Sequence, residues 1–172
     1  MNLDDIPAGS FCVLDTNVLI YAEQGVSVQA QRLLRRIQSG DVTGVLPQPV
    51  WQETMHRLMV TEAVMRGYAR GANPARQLAA KPELVKRLTI YREKVRALAT
   101  LGLGFEPCHE DDLMDKALEI QERFGLLTND SLIAAITLRV GADALASADG
   151  RFQAIKEIKL YSPSDLDLAS SS

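Results

Sequence analysis

The segment from Phe11 to Tyr21, FCVLDTNVLIY, constrains the fold of this chain more than any other part of the sequence. Its first apolar run stops at Asp15, and a short continuous apolar run suits a strand buried on both faces of a parallel sheet. Thr16 and Asn17 follow, and both residue types cap helices by accepting hydrogen bonds from free N–H groups. We therefore predict a strand, an acid at its carboxyl end and then a helix. Taken alone, Asp15 is either a helix cap or a metal ligand at the edge where open α/β sheets bind ligands.

Length and composition indicate an ordinary globular protein. The 172 residues suffice for one domain, which we expect to span residues 1–162 and to be followed by a disordered tail at 163–172. No apolar run approaches the ~20 residues needed to span a bilayer, and the acidic, polar N-terminus is unlike a signal peptide. Cys12 and Cys108 show neither metal-type spacing nor a disulfide framework. These features favour a cytoplasmic protein that has no membrane partner.

Strand-like and helical patterns alternate along the chain. Such alternation implies right-handed crossovers and predicts a three-layer α/β/α fold, in which helices cover both faces of a central five-stranded parallel sheet. We expect strands at 11–14, 42–46, 103–107, 144–148 and 158–161. We expect helices directly after Asn17 and at 26–38, 50–65, 82–100, 110–124 and 131–140, with a loop and room for one short helix at 68–81.

Four acids are expected at the same edge of this sheet. Asp15 and Asp149 end the first and fourth strands, whereas Glu53 and Asp130 open helices that start at the carboxyl edge. Each acid alone has a simple explanation as a cap, a turn residue or a group favoured by a helix dipole. Together, however, converging carboxylates repel one another and raise one another's pKa unless a cation neutralises them. Oxygen ligands of this kind suit Mg²⁺ or Mn²⁺.

Four segments of the sequence resemble the successive motifs of a known family. VLDTNVLIYA, the Glu of PVWQETM, TNDSLIAA and SADGRF resemble the motifs of PIN-domain ribonucleases, and are most like those of VapC-type toxins from toxin–antitoxin pairs. The resemblance extends from about Val13 to Phe152, and its first and third motifs are the specific ones. It implies a Mg²⁺- or Mn²⁺-dependent endoribonuclease that hydrolyses RNA and leaves a 5′-phosphate. A homodimer and a small cognate antitoxin are further implications.

The same resemblance assigns roles to individual residues. Asn17 would orient the first metal ligand, and the hydroxyl groups of Thr16 and Ser147 would lie close to it. Gly150 departs from the family pattern and would loosen the turn that holds the fourth acid. The acids implied to bind the metal and carry the catalysis are Asp15, Glu53, Asp130 and Asp149.

The chain also has an asymmetric charge distribution. Between positions 66 and 96 it carries nine Lys and Arg residues against two Glu, a net charge of +7, which leaves −10 for the remainder of a chain whose total is −3. A basic region on an acidic body is either a solvated helix surface or a binding surface for a polyanion such as RNA. The candidate RNA-binding residues in this region are Arg66, Arg70, Arg76, Lys86 and Arg87.

One alternative function stays open. A PIN-like fold that has lost catalysis would act as an RNA- or protein-binding module, and Gly150 next to the fourth acid keeps this alternative in consideration. A dehalogenase-like phosphatase is disfavoured because it needs a second acid where this chain has Asn17. Two apolar helical seams, at 55–65 and 84–98, are candidate surfaces for a dimer partner or an antitoxin.

Overall fold

A five-stranded parallel sheet lies at the centre of the protein. The computed structural model describes residues 1–109 and 111–166, and all five strands run in the spatial order β3-β2-β1-β4-β5. The predicted α/β fold with a five-stranded parallel sheet is therefore confirmed. The strands are β1 Phe11–Leu14, β2 Thr43–Pro47, β3 Gly104–Glu106, β4 Ala144–Ala146 and β5 Leu160–Tyr161.

Helices connect the strands and cover the two faces of the sheet. None of the described helices is long and apolar enough to cross a bilayer. Short 3-10 helices occupy Leu3–Asp5, Ala99–Leu101 and Gly150–Ala154. The α-helices are α1 Thr16–Gln24, α2 Val28–Gln38, α3 Gln48–Met65, α4 Pro74–Ala79, α5 Pro82–Lys86, α6 Ile90–Leu98, α7 Asp111–Phe124 and α8 Thr128–Arg139.

The strand order reverses at β1. This central strand pairs in parallel with β2 on one side and with β4 on the other, with Leu14 opposite Ala146. Its residues Cys12, Val13 and Leu14 have no solvent exposure, as expected for a strand covered on both faces. In sheets of this type, the point where the strand order reverses opens a crevice beyond the carboxyl ends of the strands. The acids that follow β1 and β4 therefore lie beside this crevice.

Helices α1 and α8 begin earlier than the sequence suggests, in a way that changes the position of an acid. Asp15 itself is the N-cap of α1, because its side chain accepts a hydrogen bond from the Thr16 amide, so Thr16 and Asn17 belong to the first turn instead of capping it. Helix α8 starts at Thr128 and not at residue 131, which puts Asp130 in its first turn. The helix dipole, taken by itself, favours an acid in both positions because each acid faces its positive end.

The predicted helix at 82–100 is wrong, since it is broken into α5 and α6 at positions 87–89. The break has a specific cause in the buried carboxylate of Glu62, on α3. Its two oxygens accept hydrogen bonds from the amides of Thr89, at 3.0 Å, and Tyr91, at 2.9 Å. These N–H groups at the start of α6 would otherwise lack partners. Arg66 completes the arrangement with an ion pair to Glu62 at 2.8 Å.

The region between α3 and α6 has a small core of its own. Ala63, Ala69, Leu78 and Leu88 are buried together, separately from the core that surrounds the sheet. Apolar residues of α3 and of 84–91 pack around them, so much of the two seams that were candidate partner surfaces is used within the chain. We call positions 66–101 the helical extension.

Two residues close to the C-terminus contact the start of α2. Ser164 and Asp165, which the sequence places in a disordered tail, hydrogen-bond to the start of α2: Asp165 accepts from the Ser27 hydroxyl at 2.7 Å and from the Gln29 amide at 3.0 Å. The rest of the predicted tail, 167–172, and the predicted first helical residue Glu110 lie outside the described residues.

Replacing Glu62 with Ala should destabilise the helical extension. The buried carboxylate, 5% exposed, accepts from two backbone amides, and leaving these and Arg66 unpaired costs about 2–3 kcal/mol. Hydrogen exchange of the amides in α4–α6 measures this loss. The exposed pair of Glu83 and Lys86 provides the control, because Glu83→Ala should leave the exchange rates nearly unchanged.

The same carboxylate predicts a dependence on pH. Burial raises the pKa of Glu62, but hydrogen bonds from backbone amides and the charge of Arg66 outweigh burial and hold the pKa below its usual 4.5. An acid with a lowered folded-state pKa stabilises the fold above its usual pKa, and this contribution disappears as the pH falls through the folded value. Protection factors in α4–α6, which compare each exchange rate with the intrinsic rate at the same pH, should therefore fall on acidification in the wild type more than in the Glu62→Ala variant.

Candidate active site

Asp15 is the most deeply placed acid at the carboxyl edge of the sheet. Its side chain is only 6% exposed, and its two oxygens have different roles. Oδ1 accepts from the Thr16 amide at 2.6 Å, while Oδ2 accepts from the Ser147 hydroxyl at 2.5 Å and from the Asn17 side-chain amide. The Thr16 hydroxyl, by contrast, is buried without a hydrogen-bond partner. A buried hydroxyl group without a hydrogen-bond partner, next to a carboxylate, suits a site where a further polar group can bind.

Asn17 and Ser147 link the end of β1 to the end of β4. The Asn17 carbonyl oxygen accepts from the Ala148 amide at 2.8 Å, and the Ser147 hydroxyl oxygen accepts from the Asp149 amide at 3.0 Å. These bonds fix the backbone that leads from β4 to Asp149 relative to Asp15. Both side chains therefore contact the Asp15 carboxylate and the segment after β4 at the same time.

Glu53 approaches the edge from α3. It lies in the second turn, and not in the first as predicted, because α3 begins at Gln48. Oε2 accepts from the Asn129 side-chain amide at 3.2 Å, and Oε1 is 4.0 Å from the Arg57 guanidinium one turn later. Asn129 is in the first turn of α8, directly before Asp130. The pair connects α3 and α8 at the site.

Asp130 and Asp149 are joined by an arginine. The Arg151 guanidinium donates to both oxygens of Asp149, through Nε at 3.0 and 2.9 Å, and to Oδ2 of Asp130 at 2.8 Å. The backbone amide of Arg151 also donates to Asp149, which caps the 3-10 helix that starts at Gly150. Gly150 has no positive φ, and the turn that follows Asp149 is closed by this cap.

The pKa shifts of Asp15 and Asp130 include contributions from the charges of neighbouring acids. Burial raises the pKa of Asp15, hydrogen bonds from Ser147 and Thr16 oppose it, and the charges of Asp130 and Glu53 raise it further. Burial is also the main cause that raises the pKa of Asp130; the charge of Arg151 opposes this rise, and the charges of Asp149 and Glu53 add to it. The hydrogen bond from Arg151 holds the pKa of Asp149 below its usual value. Acids from four separate segments thus share one electrostatic environment.

The donor chemistry of this environment suits a hard divalent cation. Carboxylate oxygens are the ligands that Mg²⁺ and Mn²⁺ prefer, and two of the acids hold a raised pKa that a nearby cation would relieve. Among the residues that the structure describes, however, no three acids, histidines or cysteines form a group that could hold a metal ion. Arg151 supplies the positive charge between Asp130 and Asp149 instead.

Sequence reasoning missed three residues of this site. Arg151 lies two positions after Asp149 in the fourth motif, which is a local signal for a contact with that acid. Arg57 is one helical turn from Glu53, a spacing at which opposite charges meet. Asn129 carries no such signal, because its contact with Glu53 joins positions 76 residues apart.

Arg66, one of the candidate RNA-binding residues, lies at the opposite end of α3 from Glu53. Arg66 follows the last residue of α3 and lies 13 positions from Glu53, which corresponds to about 20 Å along a helix. The side chains of Arg70, Arg76 and Arg87 are exposed on the helical extension, whereas Arg66 and Lys86 form ion pairs with Glu62 and Glu83.

Asparagine substitutions at two of the acids should have opposite effects on stability at pH 7 with a chelator present. A raised pKa means that ionised Asp130 destabilises the fold above its usual pKa, so Asp130→Asn should raise the melting temperature. A lowered pKa means that ionised Asp149 stabilises the fold, so Asp149→Asn should lower it. Thermal unfolding followed by circular dichroism measures both. Two shifts in the same direction would contradict the electrostatic assignment.

Comparisons with known proteins agree with this architecture. Among solved structures, this chain is similar to one in the VapBC2 complex of Rickettsia felis bound to a DNA fragment from its promoter. The TM-score is 0.59 at 17% identity, covering 88% of this chain and 98% of that one. A toxin–antitoxin complex from Klebsiella pneumoniae gives a TM-score of 0.54 at 15% identity, with 86% and 95% covered. At these identities the similarity establishes the fold alone.

At the level of sequence, the comparisons give one positive result. No curated protein matches this chain significantly. The profile of the PIN domain does match it, over residues 12–158, a range that includes all four acids and the whole sheet except β5 and the first residue of β1. Because that match covers most of the sequence, the chain belongs to the PIN-domain family.

Proposed function

We propose that this protein is a metal-dependent endoribonuclease that hydrolyses RNA phosphodiester bonds. The observation that carries the proposal is the shared electrostatic environment of Asp15, Glu53, Asp130 and Asp149 at the carboxyl edge of the sheet. These acids come from four separate segments of a chain that belongs to the PIN-domain family. Repelling carboxylates cost stability, so their placement together is best explained by a function.

In this proposal, the four acids hold Mg²⁺ or Mn²⁺. When bound, such an ion stabilises negative charge on a phosphodiester and lowers the pKa of a water molecule. Asn17 and Ser147 fix Oδ2 of Asp15 by hydrogen bonds, so that the carboxylate keeps one orientation. Asn129 does the same for Glu53. No side-chain nucleophile is needed, and the proposed product carries a 5′-phosphate.

The alternative is a PIN-like module that binds RNA or protein without cleaving RNA. One observation favours it: Arg151 already neutralises two of the acids, and no group of three potential ligands forms among the described residues. The two functions differ in one measurable property, since only the nuclease requires a divalent cation to act on RNA.

We also propose a small antitoxin as a partner, with the chain itself acting as the toxin, most simply as a homodimer. The two similar structures are toxin–antitoxin complexes, which supports this assignment. A reading frame for a small protein directly upstream of the gene would support it independently.

Cleavage of total RNA should require Mg²⁺ or Mn²⁺ and stop when EDTA is added. Asp15→Asn should lower the cleavage rate by about 100-fold or more, because the variant loses a charge that the metal requires. Asp165→Asn is a matched control, since Asp165 also accepts a hydrogen bond from a helix N-terminus but lies at the start of α2. Sequencing of the cleaved ends measures rate, site and end chemistry together. Metal-independent RNA binding without cleavage would support the module instead.

Charge reversal on the helical extension should weaken RNA binding. The variant combines Arg70→Glu, Arg76→Glu and Arg87→Glu, three exposed side chains. If all three contact phosphates, the slope of log affinity against log salt should fall by about 2, because each phosphate contact contributes about 0.7 on single strands. Fluorescence anisotropy at several salt concentrations measures this slope.

The matched control for this variant reverses three exposed cations elsewhere, namely Lys116, Arg123 and Lys156. Its binding and salt slope should stay close to those of the wild type. An equal loss in both triple variants would show that net charge alone, and not the helical extension, governs the affinity. RNA oligomers too short to reach from the acids to the three substituted arginines should not distinguish the first variant from the wild type.

A further inference from the structure

Arg151 occupies the oxygens that a cation would need. Its guanidinium contacts both oxygens of Asp149 and Oδ2 of Asp130, and it is the group through which these acids are joined. Asp130 and Asp149 come from α8 and from the segment after β4, so the arginine bridges two elements. The guanidinium and a divalent ion are both strong partners for carboxylates, and an oxygen engaged by one is less available to the other.

We propose that Arg151 is an internal counter-ion that competes with the divalent cation for Asp130 and Asp149. The inference rests on the proposed metal-dependent function and adds a residue that the four acidic motifs do not include. Arg151 keeps the two carboxylates compatible with each other before the ion arrives, and it leaves them when the ion binds. The affinity for the divalent ion then depends on how readily the ion displaces the Arg151 guanidinium from the two carboxylates.

The contacts of Arg151 permit such an exchange. Its side chain is 52% exposed, so the guanidinium can move into solvent without opening the core. Ion pairs with this exposure contribute little to stability, which makes them easy to replace. The cap that holds Asp149 uses the backbone amide of Arg151, at 2.9 Å, and this bond does not depend on the side chain. Substitutions of the side chain therefore test the competition while the turn is retained.

The alternative is that Arg151 only positions Asp149 for metal binding. The two roles predict opposite signs. If the guanidinium competes, its removal tightens metal binding, because the acids lose their internal cation and repel each other more strongly. If it positions the acid, its removal weakens metal binding, because Asp149 is no longer held.

Mn²⁺ binding by the full chain, measured by isothermal titration calorimetry without RNA, distinguishes these roles. Arg151→Gln keeps hydrogen-bonding capacity but removes the charge, and it should tighten Mn²⁺ binding by about tenfold, an ordinary size for coupling between two sites. Arg151→Lys keeps the charge and should stay close to the wild type. Arg32→Gln is the matched control, because Arg32 makes a similar two-bond contact with Asp4 at 48% exposure, remote from the acids. Its Mn²⁺ affinity should not change.

Each outcome of the Mn²⁺ titration either supports or overturns the proposed competition. Unchanged or weaker Mn²⁺ binding by Arg151→Gln, with a wild type that does bind Mn²⁺, overturns the competition and leaves the proposed nuclease intact. Binding by Arg151→Gln where the wild type shows none supports the competition in its strongest form. If neither protein binds Mn²⁺ at millimolar concentration, both the competition and the metal-dependent function are wrong. Thermal unfolding of each variant with EDTA establishes that the proteins compared are folded.

Discussion

The hydrogen bonds that join the carboxyl ends of β1 and β4 determine the geometry of the whole site. Asp15 follows one strand and Ser147 the other, and they meet because Leu14 and Ala146 are paired in register. Side chains alternate along a strand, so a slip of one residue would turn the groups at the end of β4 to the other face. Strand pairing, and not the loops, therefore sets how the two acids that follow β1 and β4 face each other.

Much of this arrangement follows from the sequence because its signals are local. An apolar run that stops at an acid identifies a buried strand and a polar carboxyl edge, and the alternation with helices leads to a parallel sheet. The helix starts were less predictable. Thr-Asn-Asp at 128–130 suits both a cap and a first turn, since acids are stabilised by the helix dipole in either place. Only the packing of α8 selects the second possibility.

The features that sequence reasoning missed depend on contacts between distant positions. Glu62 breaks the predicted helix by accepting hydrogen bonds from amides 27 and 29 residues away. The apolar pattern of 82–100 contains no signal for this contact. The contact of Arg151 with Asp130 joins different elements in the same way. Apolar periodicity indicates which face of a helix is buried. A buried carboxylate elsewhere in the chain can nevertheless determine where a helix begins, because it accepts hydrogen bonds from the free amides of the first turn.

Arg66, at the start of the basic helical extension, lies about 20 Å along α3 from Glu53, which is more than twice the screening length of about 8 Å at physiological ionic strength. Its charge, which is paired with Glu62, therefore does little to relieve repulsion among Asp15, Glu53 and Asp130. Relief of that repulsion needs a cation close to the acids. Within the described residues, Arg151 is the cation that directly contacts two of the four acids. A divalent ion would meet the same local requirement, which is why the two should exclude each other.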